Sequence, residues 1–69
     1  MAAYLKHNEK QLYLKAIDNQ NDKLEFTENI SEAKPYSNDW FAKAELDFLQ
    51  FHYPGYKEEY LNHLVPWYQ

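Results

Sequence analysis

Cysteine and arginine are both missing from this chain, and glycine occurs once. Each absence removes a class of function. Without cysteine no disulfide can staple a small fold, which argues against a secreted protein. Without arginine the usual bidentate contacts to guanine and phosphate are lost. All seven basic residues are lysines, set against eleven acids, for a net charge of −4. That balance argues against nucleic acid as a partner. The one glycine, Gly55, follows Pro54, so no glycine-rich phosphate cradle can form. Long apolar runs are missing too. No stretch approaches the ~20 residues of a membrane span, and residues 1–7 hold no apolar segment of signal-peptide length. A cytoplasmic location with no membrane contact is the expectation.

Catalytic and metal-binding inventories are equally thin. Apart from tyrosines, the hydroxyls are Thr27, Ser31 and Ser37, and helix capping accounts for both serines. His7, His52 and His63 lack any tight ligand spacing. Residues 18–29 superficially resemble an EF-hand loop, but Lys23 stands where the turn glycine belongs and Asn29 where the bidentate glutamate belongs. The pairs Glu45/Asp47 and Glu58/Glu59 lie in no apolar run that would raise a carboxyl pKa. No enzyme activity, cofactor or metal is expected.

What the chain does have is aromatic side chains. Seven Tyr, four Phe and two Trp stand beside eight Leu, two Ile and one Val in 69 residues. Each aromatic can bury ~150–250 Å², more than a core this small can absorb. Tyrosine is the natural overflow to an interface. The acids are uneven. Residues 1–34 hold five Lys and six acids, net −1, while residues 35–69 hold two Lys and five acids, net −3.

The length bounds the chain to one domain, residues 1–69. Alternating segments at 3–7, 12–17 and 23–27 predict a three-stranded antiparallel meander spanning residues 3–30. Side-chain parity sets its register. Leu5 opposite Leu14, Leu14 opposite Phe26 and Ala16 opposite Leu24 gather the leucines on one face. Tyr4, Lys6, Tyr13 and Lys15 fall on the other. Residues 31–35 read as a capped turn ending at Pro35. A main helix is predicted at 37–53, with Ser37 as N-cap and Pro54-Gly55 as its stop. Trp40, Phe41, Ala44, Phe48 and Phe51 lie within about 100° of arc and are expected to cover the sheet. Ala42, Leu46, Leu49 and Tyr53 form a second stripe, to be covered by a C-terminal helix at 56–65. Residues 66–69 are left as a tail. The expected fold is α+β, β-β-β-α-α, with both helices on one sheet face.

The run Leu12-Tyr13-Leu14-Lys15-Ala16-Ile17, a polar turn, and Lys23-Leu24-Glu25-Phe26-Thr27-Glu28-Asn29-Ile30-Ser31-Glu32-Ala33 carry a resemblance. The chain over about residues 4–36 resembles small proteins encoded by phages and prophages of low-GC Gram-positive bacteria. What the resemblance implies is a class, compact products that bind and redirect host proteins, to which anti-CRISPR proteins belong. It transfers no catalytic residue.

The leading expectation is therefore a non-enzymatic, phage-type inhibitor of a host nucleic-acid-handling or defence protein. It would act through an acidic, tyrosine-rich surface, with Glu45, Asp47, Tyr56, Glu58, Glu59 and Tyr60 as candidates. The alternative is a structural or regulatory subunit that self-associates as a homodimer through Leu46, Leu49 and Tyr53. A second alternative is single-stranded nucleic-acid binding on the sheet face of Tyr4, Lys6, Tyr13 and Lys15.

Overall fold

The three expected strands form close to their expected positions. In the computed structural model, which describes residues 2–69, they are β1 (Ala3–His7), β2 (Tyr13–Asp18) and β3 (Lys23–Thr27). Lys6 pairs with Tyr13 and Leu14 with Phe26, the register that parity requires. A β-bulge between Leu14 and Ala16 then shifts the ladder by one. Ile17, not Ala16, comes to lie opposite Leu24 and joins the apolar side. The β2–β3 turn closes on Asp22, which adopts a left-handed φ of 52°, tolerable for an aspartate.

Sequence and structure part company after β3, where the fold is α+β but not β-β-β-α-α. Among the described residues the sheet has four antiparallel strands in the order β3-β2-β1-β4, beside a single α-helix. The expected C-terminal helix is replaced by two 3-10 turns, Pro54–Tyr56 and Leu61–His63, followed by β4 (Leu64–Tyr68). β4 runs antiparallel to β1 through five pairs, from Ala3–Tyr68 to His7–Leu64. Valine, tryptophan and tyrosine favour a pleated surface. Pro66 is tolerated because β4 is an edge strand. The supposed tail is thus the strand that covers the open side of β1, giving a Greek-key order.

Helix α1 spans Asp39–His52. Its N-cap is Asn38, not Ser37, and the Asn38 side chain accepts from the Phe41 N–H at 3.1 Å. The preceding turn, Ile30–Glu32, is capped by Asn29, not by Ser31. Between that turn and α1 the chain fills a gap in the sheet. β1 and β2 pair only near their hairpin, and Lys34 donates its N–H to the Leu14 carbonyl at 2.9 Å. Ala3 and Tyr36 exchange two backbone hydrogen bonds of 2.9 and 2.7 Å.

The helix presents the opposite face from the one expected. Ala42, Leu46, Leu49 and Tyr53 point to the sheet and meet Leu5, Leu14, Leu24, Leu61 and Leu64. Trp40, Phe41, Phe48 and Phe51 face solvent. The small Ala42 lets the helix backbone approach the strands closely, and the aliphatic side chains interdigitate in a thin two-layer core. The bulky stripe would hold the layers apart. Leu49 and Tyr53 are buried within the chain and Leu46 packs against the same core, so the expected homodimer surface is already covered.

Candidate functional site

The outer face of α1 stands out because its composition suits a core and its position does not. Trp40 is 70% exposed, Phe41 49%, Phe48 50% and Phe51 81%. Their ring-to-ring contacts lie within their own helix. Trp40 meets Phe41 edge-on at 5.3 Å, and His52 sits 4.2 Å from Phe48 and 5.0 Å from Phe51. Together the four expose on the order of 400–600 Å², the upper range for the largest apolar patch of a monomer.

The platform beneath is held at both ends. At the N-terminus the Asp39 N–H donates to the Tyr68 hydroxyl at 2.8 Å, tying α1 to β4. At the C-terminus the Tyr53 hydroxyl donates to Asn19 Oδ1 at 3.0 Å, tying α1 to the β2–β3 turn. Gln50 Nε2 reaches the Leu61 carbonyl at 3.4 Å.

Helical periodicity places Glu45 and Asp47 on opposite flanks of the aromatic stripe. Asp47 is exposed. Glu45 is half-buried, accepts a hydrogen bond from the Tyr36 hydroxyl and lies 3.5 Å from Lys34 Nζ. Burial, followed by the hydrogen bond to Glu45 and its charge, pushes the Tyr36 phenol far above the ordinary tyrosine range. The folded state therefore holds a proton that the unfolded chain releases near pH ~10. This contribution is complete below that pH and is lost as pH rises toward the folded value. Tyr36→Phe is expected to lower stability by roughly 1–2 kcal/mol at neutral pH and to flatten the alkaline loss above pH ~10, as read from urea midpoints across pH.

Beside this cluster an open groove of about 630 Å³ runs between the β2 bulge and α1. Two ion pairs border it, Lys34–Glu45 and Lys15–Glu32 at 3.9 Å, with Ile17 and Phe48 also lining it. The opposed charges satisfy one another.

The remaining sequence candidates are dispersed. Tyr56 and Tyr60 come together at 6.1 Å, but both pack on Phe26, with Tyr60 stacked on it at 4.4 Å. Glu58 and Glu59 are exposed, and they lie in the turn between the two 3-10 segments, not in a helix. The Glu59 carbonyl accepts from Nε2 of the buried His7 at 3.1 Å, while His7 Nδ1 accepts from the Glu9 N–H. His63 stacks on His7 at 4.7 Å.

The alternative sheet site is also divided. Tyr13 is 4% exposed, its hydroxyl accepting from Gln11, and Lys15 is drawn to Glu32. Tyr4 and Lys6 instead gain Trp67, which lies opposite Tyr4 and 5.1 Å beneath the Lys6 ammonium. Reading residues 66–69 as a tail hid that neighbour. Among the described residues no group of three or more His, Cys, Asp or Glu is placed to hold a metal ion, and no helix is long and apolar enough to cross a membrane. Comparisons with protein-family models, curated proteins and solved structures give no match.

Proposed function

We propose that this protein is a non-enzymatic binding module that docks on another protein through the outer face of α1. A phage-type inhibitor is one role such a module would fill. One observation carries the reading. Four large aromatics stand in solvent on a helix whose inner face is already packed. Full burial of such a side chain contributes roughly 1.5–3 kcal/mol, of which Phe41 and Phe48 forgo about half and Trp40 and Phe51 most. Aromatic side chains in one contiguous stripe are the usual anchors of a protein interface. The acidic candidates take a narrower part. Glu45 and Asp47 rim the stripe, whereas Glu58 and Glu59 lie on a separate loop.

Affinity capture with a variant series tests this reading. The wild-type protein and three variants are immobilised and compared: Phe48→Glu with Phe51→Glu, Glu58→Lys with Glu59→Lys, and Tyr4→Ala with Trp67→Ala. A protein held by the wild type is expected to be lost from the first double variant, by at least ~100-fold in affinity once purified. The other two are expected to retain it. Retention by the Phe48/Phe51 variant and loss from the Glu58/Glu59 variant would return the site to the acidic loop. Loss confined to the Tyr4/Trp67 variant would move it to the sheet face.

A further inference from the structure

We infer that the occupant of this face is a basic amphipathic helix of another protein. The inference rests on the docking role of the α1 face and names its partner. Phe41, Ala44, Phe48 and Phe51 are spaced three, four and three residues apart, the repeat that keeps one seam against a second helix. Over ten residues that seam is about 15 Å long, or three turns.

Ala44 is the informative position. A knob from a facing helix enters a hole made by residues i, i+3, i+4 and i+7. Phe41, Ala44, Glu45 and Phe48 form one such hole, and Ala44, Asp47, Phe48 and Phe51 form the next. Each has phenyl walls, shares the small Ala44 and is edged by one carboxylate. A helix with large apolar knobs at matching intervals fills both holes. Lysine or arginine beside the knobs reaches the exposed Asp47 on one flank, while Glu45 on the other keeps Lys34 as its partner.

Charge also decides between another protein and a second copy. With Glu45 already paired with Lys34, α1 leaves Asp39 and Asp47 against one cation, Lys43, and the chain has no arginine. Two copies paired through this face would set acids against acids across a molecule of net charge −4. The exposed aromatic area falls short of the ~800 Å² per partner of a standard interface, so contact must also be made at the rim. A basic rim supplies the remaining contact.

Fluorescence anisotropy with labelled synthetic peptides tests the inference. One peptide of three heptads carries Leu at the seam and Lys at both flanking positions. A second carries Glu in place of those lysines. Wild-type protein is expected to bind the Lys peptide at least ~10-fold tighter than the Glu peptide, with the preference fading as salt rises. Ala44→Phe fills both holes at an exposed site and is expected to weaken the Lys peptide at least ~10-fold while the thermal melt stays unchanged. Asp47→Lys is expected to narrow the preference between the peptides.

Equal affinity for both peptides, or full binding by Ala44→Phe, would overturn the inference. So would a sedimentation mass that rises with concentration and is reset by Phe51→Glu, since the occupant would then be a second copy. Absence of Lys-peptide binding overturns the basic-helix partner. If capture from lysate still depends on Phe48 and Phe51, the docking reading survives that result. If it does not, both fail.

Discussion

Leu49→Ala is expected to remove ~2–5 kcal/mol of stability, whereas Phe51→Ala is expected to change it by less than ~0.5 kcal/mol. The contrast follows from the side of α1 that packs. Leu49 is fully buried among Leu5, Leu14, Leu61 and Leu64, so truncation leaves a cavity in a core with little room to relax. Phe51 is 81% exposed, and alanine is the better helix former by several tenths of a kcal/mol. A chain of this length has only ~3–10 kcal/mol of stability in total. Leu49→Ala should therefore lower the melting temperature by ~10 °C or more, or leave the protein largely unfolded. Urea denaturation of the two variants beside wild type reads both effects. A reversed order, with Phe51→Ala the damaging change, would put the aromatic stripe in the core and end the docking proposal.

Sequence parity made the first half of the fold legible. Leu5, Leu14 and Phe26 tolerate one register only, because a slip would turn leucine out and tyrosine in. The bulge that brings Ile17 opposite Leu24 was not legible, since Ala16 and Ile17 are both apolar and either satisfies the pattern. The limits of α1 were readable to within a residue or two from its caps and from Pro54. Its orientation was not. Both stripes are apolar, and periodicity locates stripes without ranking them. What ranks them is thickness, with Ala42 and Leu49 suiting a shallow interface and Trp40 and Phe48 exceeding it.

The C-terminal segment misled for a related reason. Tyr56, Tyr60, Leu61 and Leu64 have helical spacing, and Pro66 punctuates a helix end as readily as an edge strand. The need of β1 for a second neighbour is a long-range fact that no local window contains. The candidate site inherits both misreadings. Its aromatics stand out in the sequence, but their helical spacing alone points them to the interior. Its acidic flanks, Glu45 and Asp47, read as a surface in the sequence, but the stripe between them shows only once the orientation of α1 is known.

Acrylamide quenching of Trp40 tests the central claim most directly. In a Trp67→Phe variant, Trp40 is the sole indole and reports on the α1 face alone. Phenylalanine keeps an aromatic ring beneath Lys6, so the sheet is little disturbed. With 70% of its surface exposed, Trp40 is expected to be quenched nearly as efficiently as free tryptophan, independently of protein concentration. On saturation with the captured partner the quenching should fall several-fold, because Trp40 packs edge-on against Phe41 at the end of the seam and is covered with it. Trp40 shielded in the free protein would contradict an open face, and Trp40 left fully accessible in the complex would contradict its role as the docking surface.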